Sequence, residues 1–121
     1  MGRQLRILVV DDDTDNASAI AELFEIDDHN VVIAHDGNEA IMEFDRQKFD
    51  VSFFDVMMPN KNGVDSFLEI RQRHPDARVY FMTGYSENSL LDKARSGGAL
   101  GVFDKPTDPS MLLDVVEREA A

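Results

Sequence analysis

The sequence predicts a single three-layer α/β domain, a parallel sheet with helices on both faces, on three observations. Short β-rich apolar runs alternate five times with amphipathic stretches of two to four helical turns. The first, third and fourth runs are nearly continuous in apolar residues, as strands covered on both faces require. The 121 residues give room for one core, since domains run about 100–200 residues. Parallel neighbours need a crossover connection, and the amphipathic stretches between the runs supply it.

The strands are expected at Leu5–Val10, Val31–Ala34, Asp50–Phe54, Arg78–Thr83 and Leu100–Phe103. The first helix is expected from about Thr14 to Ile26, because Ala17, Ile20, Ala21 and Phe24 recur at helical spacing. A short second helix follows the turn at Asp36-Gly37, with Asn38 as its cap and Ala40, Ile41 and Phe44 as its apolar side. Val64, Phe67, Leu68 and Arg71 line one side of the third, which ends before His74-Pro75 because proline disfavours a helical residue ahead of it. Leu90, Leu91 and Ala94 mark the fourth. The fifth follows Thr107-Asp108, with Pro109 in its first turn and Leu112, Leu113, Val115 and Val116 facing inward.

With 43% hydrophobic residues the chain can bury a sizeable interior, which argues against extensive disorder. Twelve Lys and Arg against twenty-four Asp and Glu leave a net charge of −12. Such a surface is repelled by phosphate backbones and anionic membranes, so no direct nucleic-acid or membrane partner is expected. The absence of Cys excludes disulfides, thiolate zinc sites and cysteine nucleophiles. No apolar stretch near 20 residues and no apolar leader region are present, and a soluble cytoplasmic protein is expected.

In a sheet of this kind ligands sit beyond the carboxyl ends of the strands, where strand order reverses. Asp11, Asp12 and Asp13 follow the first strand, Asp55 the third and Lys105 the fifth, and Thr83 closes the fourth. Alone, each has an ordinary reading: the acidic run caps a helix, Thr83 is a β-branched strand residue, and Lys105 is a solvated loop lysine. Their joint occurrence at four strand ends outweighs those readings. Two carboxylates about 4 Å apart repel by about 4 kcal/mol at an effective dielectric near 20, so the cluster calls for a cation. Oxygen-only donors in an open site suit Mg²⁺, which keeps waters and binds carboxylates together with phosphate oxygens. Asp55, alone at the end of Val51-Ser-Phe-Phe, is the candidate nucleophile for a phosphoryl group. Asp12, and less directly Asp11, would hold the metal, while Thr83 and Lys105 would each engage a phosphoryl oxygen.

The stretches Ile7-Leu-Val-Val-Asp-Asp12, Phe54-Asp-Val-Met-Met-Pro59 with Gly63, Met82-Thr-Gly84 and Asp104-Lys-Pro106 resemble the receiver domains of two-component response regulators. The resemblance covers essentially the whole chain, as one domain from 1 to 121. It implies a flavodoxin-like doubly wound fold, strand order 2-1-3-4-5, and Mg²⁺-dependent transfer of phosphate to Asp55. The implied donor is a histidine kinase or histidine phosphotransfer protein. Also implied are metal ligation by Asp12, Asp55 and the Met57 backbone carbonyl, and a cis peptide at Lys105–Pro106. A receiver is a self-catalysed phosphoacceptor and signalling domain rather than an enzyme. It would act on a downstream protein partner or output domain, and family members often pair through the face made by the fourth helix, fifth strand and fifth helix. The sequence stops soon after the fifth helix without a visible output domain, so output is expected to be non-covalent or missing.

Two departures from the family pattern matter. Val102 stands where the family often has an aromatic switch residue, and Phe103, one place later, is expected on the opposite face of the strand. Signal would then leave through movement of Thr83 and the loop at Gly84-Tyr85. Met57 and Tyr85, both bulky, stand at positions that bear on phosphate lifetime, and a persistent phosphoaspartate is expected. The five internal methionines form no stripe, and His29, His35 and His74 are expected at the surface without zinc-ligand spacing.

Three rival functions remain. Asp11-x-Asp13-x-Asp15 with Glu22 matches four positions of an EF-hand calcium loop, but Asn16 replaces the required glycine and the run follows a buried strand rather than a helix, so the match is read as coincidence. Asp11 and Asp13 also fit the acid pair of a haloacid-dehalogenase-type phosphatase, which would leave Asp55 idle. The third rival is a receiver-like interaction module that no longer cycles phosphate.

Overall fold

The computed structural model describes residues 2–84 and 88–121. Strands and helices alternate along the chain: β1 (Arg6–Val10), α1 (Thr14–Glu25), β2 (Asn30–Ala34), α2 (Gly37–Arg46), β3 (Val51–Asp55), α3 (Gly63–Arg73), β4 (Val79–Thr83), α4 (Asn88–Ser96), β5 (Gly101–Asp104) and α5 (Pro109–Ala120). All four strand pairings are parallel, in the order β2-β1-β3-β4-β5. The five expected pairs of strand and helix and the expected order are therefore both present. The order reverses between β1 and β3, which is where the site must lie.

Alternation along the strands divides the core into two layers. Ile7, Val9, Phe53 and Met82 pack against α1 and α5 through Phe24, Leu112 and Val116. Leu8, Val10, Phe54 and Phe81 pack on the other face against Phe44, Val64, Phe67 and Leu91 of α2, α3 and α4. Aromatic rings tie the strands together on each side. Phe53 and Tyr80 stack at 5.8 Å, as do Tyr80 and Phe103, while Phe67 meets Phe81 edge-on at 5.4 Å. Phe103 thus lies opposite Val102, which packs into the layer of α2, α3 and α4, as alternation predicts.

The helices begin where side chains satisfy their free N–H groups. Asp13, Asp36, Asn62 and Asp108 cap α1, α2, α3 and α5. The cap of α2 is Asp36 and not Asn38, its carboxylate accepting the Glu39 N–H at 2.8 Å. Gly37, the first residue of α2, lies against α3, where a Cβ would overlap the Ser66 hydroxyl. At β5 the strand begins one residue later than expected, since Leu100 is 41% exposed and only its N–H reaches Val79. Among the described residues, no helix is long and apolar enough to cross a membrane.

Candidate phosphoacceptor site

Asp11 and Asp12 come directly after β1, Asp55 and Thr83 are the last residues of β3 and β4, and Lys105 comes directly after β5. Because these strands lie side by side, residues distant in sequence gather at one edge of the sheet. The loop after β3 is held in place by Gly63, whose N–H donates to the Val56 carbonyl at 2.8 Å. A side chain at Gly63 would overlap the Asp55 carbonyl oxygen, so glycine permits the approach of α3 to the strand end. On the far side, the Lys105 N–H donates to the Thr83 carbonyl at 2.8 Å and the Lys105–Pro106 peptide is cis.

The side chains converge. Carboxylate oxygens of Asp11, Asp12 and Asp55 lie within 4.8 Å of one another. Lys105 Nζ donates to Asp55 Oδ2 at 3.1 Å and lies 3.5 Å from Asp11 Oδ2. Asp11 is fully buried, Asp55 is 7% exposed, and Asp12 is open to solvent. The buried Thr83 side chain completes the strand-end row. Burial pushes the Asp55 carboxyl above its ordinary value and neighbouring Asp11 adds to the rise, with the Lys105 ammonium opposing both. Burial pulls Lys105 down, yet its contacts with Asp55 and Asp11 prevail and hold the ammonium above its usual value. The site therefore combines a nearly buried carboxylate, a fixed cation and an opening through Asp12. Three oxygen donors at this spacing can hold a hard metal ion.

Met57, two residues past Asp55, is 43% exposed, whereas Met58 turns inward. Tyr85 lies outside the described residues. Sequence reasoning overlooked Asn16, treated there only as a misfit in a calcium loop. Its Nδ2 donates to Asp11 Oδ2, and its backbone N–H donates to Asp13 Oδ1 at 3.1 Å. The signal was present: a polar residue opens the face of α1 that continues with Ile20 and Leu23.

The same geometry bears on the rival readings and on the histidines. Asp15 and Glu22 lie on α1, which starts at Thr14, so the EF-hand spacing is helical and cannot wrap a calcium ion. The phosphatase alternative is unsupported: Asp11 is completely buried, held by the Asp13 N–H at 3.0 Å, Asn16 and Lys105, whereas Asp55 keeps some exposure. His29 and His74 are half-buried rather than free at the surface. His29 Nδ1 accepts the Leu5 N–H at 3.0 Å, and His74 meets Asp45 at 3.0 Å beside the Phe44 ring.

Known proteins share this architecture. The CpxR transcriptional regulatory protein of Escherichia coli K12 is 45% identical over 113 residues, which is 93% of this chain and 47% of CpxR. ZraR of the same strain is 33% identical over 115 residues, 95% of this chain and 26% of ZraR. The chain thus spans about half the length of CpxR. A CheY-like receiver domain protein from Methanospirillum hungatei JF-1 superposes with a TM-score of 0.92 at 24% identity, covering 98% of this chain and 94% of that one, and so shares the fold. The family model for the response regulator receiver domain matches residues 7–117, and the chain belongs to that family.

Proposed function

We propose that this receiver domain accepts a phosphoryl group on Asp55 from a phosphohistidine, carried by a histidine kinase or a histidine phosphotransfer protein. The observation that carries the reading is the meeting of Asp11, Asp12, Asp55 and Lys105 at the strand-order reversal. An Asp55 carboxylate oxygen attacks phosphorus in line, the bond from phosphorus to the imidazole nitrogen breaks, and the donor histidine leaves with the electron pair. Lys105, already held 3.1 Å from Asp55, pairs with one phosphoryl oxygen, and the Thr83 hydroxyl donates to another.

The acidic cluster suits Mg²⁺, because its donors are all carboxylate oxygens and Asp12 leaves it open to solvent. Asp11, Asp12, Asp55 and the Met57 backbone carbonyl would hold the ion. When bound, Mg²⁺ neutralises charge shared between the carboxylates and the phosphoryl oxygens.

Phosphorylation is then relayed by movement of Thr83 and the segment after it, since Val102 offers no ring to move. The face formed by α4, β5 and α5 receives the downstream partner, an output domain or a second copy. CpxR and ZraR are transcriptional regulatory proteins, and a charge of −12 supports the reading that this domain itself makes no direct contact with DNA. The setting would be cytoplasmic.

Incubation with acetyl phosphate and Mg²⁺, read by intact mass, tests the proposal. The expected result is one added phosphoryl group, lost in Asp55→Asn and located on Asp55 by peptide mapping. Modification of Asp11, or none under any Mg²⁺ concentration, would overturn it.

A further inference from the structure

We propose that Asn16 is a positioning residue for the acidic cluster, its side-chain amide orienting the Asp11 carboxylate for a shared divalent cation. Asp11 is completely buried, so both of its oxygens need partners. Oδ1 takes the Asp13 N–H at 3.0 Å, while Oδ2 takes the Asn16 amide and lies 3.5 Å from Lys105 Nζ. Lys105 is shared with Asp55, and in the transfer reaction it is the group that turns to the phosphoryl oxygens. The Asn16 amide is then the neutral donor that stays on Oδ2, so a buried carboxylate is never stripped of its hydrogen bond.

The residue type fits this task and little else. Asn16 stands in the first turn of α1 on the face continued by Ile20 and Leu23, where an apolar residue would extend the stripe and propagate the helix better. A lysine or arginine there would compete with a bound cation, and an acid would repel Asp11. Asn supplies a donor without charge. Its own position is fixed by the Asp13 carboxylate, which accepts the Asn16 backbone N–H at 3.1 Å. Partners of this kind set the orientation of metal-binding carboxylates, and their loss typically weakens metal affinity about 10–100-fold.

The inference rests on the metal-binding reading of Asp11, Asp12 and Asp55, and calorimetric titration of MgCl₂ into the unphosphorylated protein separates the two. Asn16→Leu and Asn16→Ala both remove the donor and favour helix, so thermal unfolding should show each folded. In each, Mg²⁺ binding is expected to weaken about tenfold, while phosphorylation by acetyl phosphate at saturating Mg²⁺ stays within about twofold of wild type. Mg²⁺ affinity that is unchanged in both variants but lost in Asp12→Asn overturns the role of Asn16 alone. A fall in the saturated rate with intact affinity overturns it too. No Mg²⁺ binding by wild type overturns both readings together.

Discussion

Asp55 ends a strand whose five residues are all buried, and loss of hydration raises its carboxyl above its ordinary value despite the Lys105 contact. A carboxyl raised in the folded state favours folding in its protonated form. That contribution is complete below the unfolded value and is lost as pH rises through the higher folded value. At neutral pH and without divalent metal, wild type therefore bears the full cost of an ionised Asp55. Asp55→Asn is expected to melt at a higher temperature than wild type under those conditions, with the gap closing as pH falls through the carboxylate range. Equal melting temperatures at neutral pH would contradict the assignment of burial as the dominant cause. At this scale the sequence was readable for Asp11, Asp12, Asp55, Thr83 and Lys105, because each ends or follows an apolar run. Asn16 was legible only as a polar residue opening the inward face of α1; its partner was not, since the contact joins the first turn of α1 back to a strand end and depends on the direction in which the helix leaves.

Elements place those residues, and the tightest placement is the start of α3 against the end of β3. Gly63 donates to Val56 and leaves no room for a side chain beside the Asp55 carbonyl. Gly63→Ala must therefore push α3 away from the strand end. The expected cost is about 1–3 kcal/mol in urea unfolding, as for other insertions into packed contacts, with slower phosphorylation of Asp55 because its backbone shifts. A variant as stable and as active as wild type would show that the loop yields freely. All five strands and helices were legible from apolar runs and helical spacing, because burial on one face or two leaves a period in the sequence. Their ends were less so. At the start of α2, Asp36 and Asn38 offer equally good local capping chemistry, and the sequence around them does not choose between the two. The edge position of β2, half-buried along most of its length, likewise follows from strand order and not from its own residues.

Across the molecule, twelve basic residues face twenty-four acidic ones, and the exposed pairs Arg3–Asp50, Arg73–Asp45 and Lys93–Asp65 offset only part of the excess. Such pairs are each worth at most about 1 kcal/mol, whereas repulsion acts among all like charges within a Debye length, about 10 Å at 0.1 M salt. NaCl is therefore expected to raise the melting temperature as it screens the surface. MgCl₂ at matched ionic strength screens to a similar extent, so any additional rise reports binding to the native state. For a single site that excess is about 1.4 kcal/mol at ten times the dissociation constant. The site geometry assigns the excess to one location, the oxygens of Asp11, Asp12 and Asp55 that meet within 4.8 Å. An Asp12→Asn, Asp55→Asn double variant should accordingly lose the difference between the two salts while keeping its response to NaCl. If the two salts act alike on wild type, the carboxylates at the strand ends are only one more part of an acidic surface. If the difference survives in the double variant, the ion is held elsewhere.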